Sequence, residues 1–188
     1  MKQWTEYYYF VSGLSEATCD LVEQYAKLLP EQQGIVSENA VYDKKIRESK
    51  IRWFNNNRET CILFDLIGNI IRRANDMTWE FDLHGFDSIQ YSEYSGKTKG
   101  HYDFHMDFGG GSMMTRKVSI AIQLSDPNTY KGGNFEFRDI NINDDMKKLL
   151  RNRGTCIVFP SFMSHRVTPV TSGIRKSLVA WMEGPNYR

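Results

Sequence analysis

The chain has only four histidines, His84, His101, His105 and His165. Two of them open overlapping His-x-Asp units, His101-Tyr102-Asp103 and His105-Met106-Asp107. Residues i and i+2 of a strand share a face, so the His and Asp of either unit could reach one ion together. His165 follows a buried run and a Pro160-Ser161 turn, and is placed to return as a third ligand. Two imidazoles and one carboxylate on one side of an ion leave the opposite positions open. That arrangement suits non-haem Fe(II), which needs vacant positions for a cosubstrate and O₂. A closed zinc site would draw four protein ligands and more sulfur.

Such ligands need rigid elements beneath them. The first segment, Trp4 to Val11, is aromatic and suits a strand. A helix is expected from Ser15, its cap, to Leu29, with Leu14, Thr18, Leu21, Tyr25 and Leu28 on one face and Pro30 as its stop. A second helix, 59–75, carries the stripe Leu63, Leu66, Ile67, Ile70 and Ala74. Between them, residues 31–57 are polar and mixed in charge and read as a long, partly ordered loop. Its Arg47, Arg52 and Trp53 are candidate substrate contacts.

From Phe86 the pattern changes to strands. Val118, Ile120, Ile122 and Leu124 alternate with Ser119, Ala121 and Gln123; Phe135 and Phe137 alternate; 155–160 and 177–182 are short apolar runs. Turn residues separate them, and a short helix fits 144–150. Helices first and many short strands after predict a mainly β protein with flanking helices (α+β), a sandwich or jelly roll with the N-terminal helices on one outer face. Gln123 and Ser119 face either a pocket or solvent. Phe159 and Trp181, in apolar runs, are expected in the core.

With 188 residues the chain has one domain's length, and its formal charge is +1. Such a balance gives phosphate little long-range attraction, which disfavours a nucleic-acid partner. The three cysteines are scattered and odd in number, so they read as buried small hydrophobes in a reducing compartment. No signal peptide is evident at the N-terminus and no run is long enough to cross a membrane, so a cytoplasmic location is expected.

The stretches YSGKTKGHYDFHMD (94–107), SIAIQLSDPNTYKGGNFEF (119–137) and FPSFMSHRVTPVTSGIRKSLVAW (159–181) resemble the prolyl 4-hydroxylase-like oxygenases. Within them the chain is most similar to the PKHD-type hydroxylases and their phage-encoded relatives. The resemblance implies one oxygenase domain over 1–188, with 1–85 as helical support and substrate loop and 86–184 as a double-stranded β-helix. It implies that Tyr102, three residues before His105, selects His105, Asp107 and His165 as the iron ligands, with Tyr102 also near the substrate. Arg175 matches the residue that grips the distal carboxylate of 2-oxoglutarate, and a guanidinium suits that task by forming two parallel bonds. Tyr94 matches the cosubstrate-contacting tyrosine, with Tyr91 as the alternative. The implied reaction uses Fe(II), 2-oxoglutarate and O₂, with ascorbate as a reductant, and hydroxylates a peptidyl side chain, prolyl by default, giving succinate and CO₂. A free amino acid, nucleobase or other small molecule is the alternative substrate class, and a non-catalytic binding module the alternative outside catalysis.

Overall fold

The computed structural model describes residues 4–36 and 42–187. In chain order the elements are β1 (Tyr8–Phe10), α1 (Glu16–Ala26), β2 (Gln32–Gln33), β3 (Arg47–Glu48), β4 (Lys50–Phe54), α2 (Cys61–Met77), β5 (Gly85–Ser95), β6 (His101–His105), β7 (Arg116–Gln123), β8 (Lys131–Gly132), β9 (Phe135–Phe137), α3 (Asp144–Arg151), β10 (Cys156–Pro160), β11 (His165–Val167), β12 (Val170–Ser172) and β13 (Ile174–Glu183). A seven-stranded sheet runs β1-β10-β7-β13-β5-β4-β2, and a four-stranded sheet runs β3-β6-β11-β9. All the strand pairings among the described residues are antiparallel. The two sheets form the expected jelly roll.

Alternation along the large sheet divides the interior in two. Val118, Ile120, Ile122, Cys156, Val158, Leu178, Ala180 and Met182 pack with α1 and α2 in the main apolar cluster. Ala121, Ile157, Phe159 and Val179 point the other way, toward Phe135 and Phe137 of the small sheet. Helices α1 and α2 thus cover one face of the large sheet, as predicted, and the candidate site residues lie on the other. Fully buried Ile67 and Ile71 of α2 fasten that cover; each contributes about 1.5–3 kcal/mol through burial.

The predicted helices form, but their faces are turned. In α1, Ser15 caps through Thr18 N–H, as expected. Yet Cys19, Val22 and Ala26 are buried, while Leu21 and Leu28 are 66% and 79% exposed. The small residues let the helix lie close to the sheet. In α2 the buried face is Phe64, Ile67, Gly68, Ile71 and Ala74. Gly68 explains the turn: a Cβ there would come within 3.0 Å of Phe86 and 3.5 Å of Met182, so the helix meets the sheet at its one residue without a side chain. Cys61, expected to be buried, is half-buried at the start of the same helix; Cys19 and Cys156 are buried.

The segment 31–57 is not the long loop its polarity suggests. It contains β2, β3 and β4; its residues 37–41 lie outside the described ones. Arg47 pairs with Tyr102 in the small sheet, and four residues on, Ile51 pairs with Ser92 in the large one. Residues 47–54 therefore stitch the two sheets together at the edge of the space between them. Among the described residues, no helix is long and apolar enough to cross a membrane.

Candidate metal centre

The space between the sheets holds a cavity of about 230 Å³. His105, Asp107 and His165 lie in its wall, and one ligand atom from each falls within 4.8 Å of the others. How they arrive there differs from simple strand alternation. His105 is the last residue of β6, and Asp107 lies beyond the strand, its backbone N–H donating to the Ser161 carbonyl at 2.9 Å. His165 opens β11 directly opposite His105. Two residues further, Val167 pairs with Tyr102, so β6 carries one extra residue over this span. Such a bulge re-aims side chains. It lets Tyr102 and His105, three apart, both line the cavity, their rings stacked at 3.5 Å.

Both imidazoles are oriented from behind. Nδ1 of His105 donates to the Asp103 carbonyl at 2.8 Å, and Nδ1 of His165 to the Met163 carbonyl at 2.9 Å. A carbonyl only accepts, so the proton sits on Nδ1 and each Nε2 offers a lone pair to the cavity. The Nε2 atoms lie 3.7 and 3.6 Å from the two Asp107 oxygens, too far to hydrogen-bond, yet within reach of one ion at about 2.0–2.2 Å from each. Burial pushes the His105 imidazole down to about 3, reinforced by His165 and opposed by Asp107. Burial disfavours ionised Asp107, but His165, His105, a bond from Ser119 and Arg116 outweigh it, holding the carboxyl below its usual range. Neutral imidazole and ionised carboxylate are the forms that bind metal. Phe159 and Phe135 wall off His165, with ring centroids 4.7 and 5.3 Å away.

Arg175 enters the same cavity from β13 and is 1% exposed. Its Nη2 donates to Gln123 Oε1 at 2.9 Å and its Nη1 to Ser177 Oγ at 3.2 Å, while Nε has no partner. A buried cation held only by neutral groups, with one N–H unanswered, is suited to an anionic ligand. Tyr94 sits opposite Arg175 across β5 and β13 and lines the cavity. Tyr91 faces the helices, its hydroxyl donating to Glu93. Of the two tyrosines, Tyr94 lines the cavity and Tyr91 does not.

The remaining candidates divide. Tyr102, Arg47 and Trp53 line the cavity. Arg52 does not: it faces away, paired with Glu31 at 2.6 Å and Glu93 at 3.2 Å, because alternation along β4 sends Ile51 and Trp53 inward and Arg52 outward. Gln123 and Ser119 face the interior, not solvent; each is buried. Phe159 is core as expected, but Trp181 lines the cavity under Arg116, whose guanidinium carbon is 4.1 Å from its ring. Strand period alone would have found Trp181 and Ser177, which lie six and two residues from Arg175 on the same face. Ser112 and Met113, just past the glycine run 109–111, also line the cavity.

A sequence-family model described as the 2OG-Fe(II) oxygenase superfamily matches residues 89–183. A PKHD-type hydroxylase of Nitrosomonas eutropha is 33% identical over 108 residues, which are 52% of this chain and 46% of that protein. One from Prochlorococcus marinus is 30% identical over 149 residues, 79% of this chain and 60% of that protein. The chain thus spans about half the length of the curated relatives it matches. Among solved structures, a Pseudomonas putida prolyl-4-hydroxylase superposes with a TM-score of 0.70 at 17% identity, covering 96% of this chain and 94% of that one. The viral collagen prolyl hydroxylase of Paramecium Bursaria Chlorella virus-1, in its 2OG complex, gives 0.69 at 19%, covering 96% and 97%. A Trichoplax adhaerens prolyl hydroxylase, in complex with a hypoxia inducible factor peptide fragment, gives 0.71 at 18%, covering 95% and 83%. These structures share the fold.

Proposed function

The chain belongs to the 2OG-Fe(II) oxygenase superfamily, and from that premise we propose that it is an iron(II)- and 2-oxoglutarate-dependent dioxygenase hydroxylating a peptidyl, by default prolyl, side chain. One observation carries the reading: a His–Asp–His cluster and a buried guanidinium, with no carboxylate partner among the described residues, line the same cavity. His105, Asp107 and His165 would hold Fe(II), and Arg175, beside Tyr94, would take the distal carboxylate of 2-oxoglutarate. When bound, the metal with its cosubstrate and O₂ supplies an oxidative decarboxylation that yields succinate and CO₂ and places one oxygen atom in a C–H bond. Ascorbate would serve as reductant, and the reaction would run in the cytoplasm.

The chain's own residues contribute position and dryness. The carbonyls behind His105 and His165 fix both rings before metal arrives, so little reorganisation remains. Gln123 and Ser177 hold the Arg175 guanidinium plane. Phe135, Phe159 and Val179 exclude water on the inner side, which strengthens every charge interaction there. Tyr102, Trp53 and Arg47 surround the open side and would receive the substrate. A peptide substrate is supported by the relatives' descriptions as prolyl hydroxylases and by the peptide held in one of them.

The test incubates the chain with Fe(II), 2-oxoglutarate and a library of proline-containing peptides. Succinate release and a gain of one oxygen on a peptide, both abolished without iron, are expected. Succinate release with no oxygen gained on any peptide would overturn the peptidyl assignment and leave a small molecule as substrate.

A further inference from the structure

Among the described residues two guanidiniums are buried, Arg175 at 1% and Arg47 at 6% exposure. Both line the cavity, and neither has a carboxylate partner among those residues. Less buried arginines vary: Arg52, Arg153 and Arg166 each face an acid, at 2.6, 2.6 and 2.7 Å, while Arg151 and Arg138 bond neutral oxygens nearer to solvent. Keeping a charge out of water without a counter-ion is costly, so an anion arriving at either buried guanidinium gains strongly.

The place of Arg47 is built. Its Nε donates to Ser49 Oγ at 2.8 Å and its Nη1 to the Ile35 carbonyl at 3.3 Å. Its guanidinium carbon lies 4.5 Å from the Tyr102 ring, which is itself stacked on the ligand His105. Gly34 leaves room for this, since a Cβ there would fall 2.6 Å from Arg47 Nε. These neutral partners fix the direction of the guanidinium and, among the described residues, leave its charge unanswered. The one carboxylate in the cavity lining, Asp107, is grouped with the two imidazoles.

We propose that Arg47 binds a carboxylate of the substrate, so that the enzyme acts on an acid whose anionic group docks one ring-stack away from His105. The assignment rests on the oxygenase reading above, in which Arg175 is occupied by the cosubstrate. The carboxylate is either an acidic side chain next to the modified residue of a peptide or the free carboxylate of an amino acid.

The experiment titrates the whole chain, loaded with Mn(II) and 2-oxoglutarate, with matched acid and amide probes. L-proline against L-prolinamide presents a free carboxylate. Doubly capped Ala-Asp-Pro-Ala against Ala-Asn-Pro-Ala presents a side-chain one. In one pair the acid is expected to bind at least about tenfold more tightly than its amide, which is the ratio one charge-assisted bond supplies. The preference disappears in Arg47→Met and survives in part in Arg47→Lys. The pair that shows it identifies the source of the carboxylate. Equal or undetectable binding of acid and amide in both pairs overturns the proposal, as does a preference unchanged in Arg47→Met. If Arg47→Met does not fold, Arg47→Gln, which retains donors for Ser49 and Ile35 but no charge, supplies the same comparison. Succinate release by the Fe(II)-loaded chain with the preferred acid probe is measured alongside; binding of the probe without any succinate release counts against the oxygenase reading, while the acid–amide ratio decides the role of Arg47 on its own.

Discussion

The two His-x-Asp units stand four residues apart, one within β6 and the other starting at its last residue, yet the fold treats them in opposite ways. Both ring nitrogens of His101 face backbone carbonyls, Nδ1 that of Lys99 at 2.9 Å and Nε2 that of Lys45 at 3.2 Å. Asp103 is exposed and bonded to its neighbour's backbone, accepting from Phe104 N–H at 2.7 Å. In the second unit His105, like His165 opposite it, spends one nitrogen on a carbonyl and keeps the other, and Asp107 is buried against that histidine of β11. The same residue types at the same spacing thus make a strand fastener in one place and part of a candidate ligand set in the other. What separates them is which lone pairs the surroundings leave unused, and whether a third ligand arrives.

The largest effect that can break this contrast is loss of the ion itself. Asp107→Ala and His165→Ala should each abolish stoichiometric Fe(II) or Mn(II) binding by calorimetry and reduce turnover to background, whereas His101→Ala keeps both. Metal loss confined to His101→Ala would reverse the assignment. Next is the response to acid. The His105 imidazole is held near 3 against 6.5 when unperturbed, so between those values the unfolded chain takes up a proton that the folded chain refuses. On this account metal-free stability is unaffected above pH 6.5 and falls by at most about 1.4 kcal/mol per pH unit below it. In NMR, the His105 ring signals of the metal-free protein should stay flat from pH 7.5 to 5; a midpoint inside that range would refute the prediction.

Smaller still is the fastener. His101→Ala removes both carbonyl contacts and should lower stability by about 1–2 kcal/mol in urea unfolding, with metal affinity retained. Smallest is Asp103→Ala, an exposed site whose loss should stay within about 0.5 kcal/mol and leave turnover unchanged. A tenfold fall in metal affinity there would mean that the units are coupled and the contrast is false.

Much of this was legible because some signals are local. Ser15 as a cap, the strand alternation at 118–124 and the ligand motif depend on neighbours in sequence. Other features depend on partners far away. The buried face of α1 is set by how closely Cys19, Val22 and Ala26 approach the sheet, which composition does not express, since the larger leucines point outward. Strand β4 was hidden because its outward residues, Lys50 and Arg52, are charged and bonded to Glu31, and such charges resemble a solvated loop. The bulge in β6 is invisible in the sequence because it exists only relative to β11. It is also why the candidate ligand pair does not follow strand alternation.

The central position of β13 bears on how the molecule comes into being. The middle strand of the large sheet is the last strand of the fold and pairs with both β5 and β7, while β10, nearly as late, separates β7 from β1. During synthesis the ribosome would release β5 and β7 with open edges long before the strand that joins them exists. Unjoined edges invite pairing with other chains. His165 also emerges late, so an ion meeting the nascent polypeptide would find a two-ligand stub. On the proposed reading, iron loading would wait until residue 165 has emerged, and chaperone dependence during production should be greatest for chains halted before residue 174.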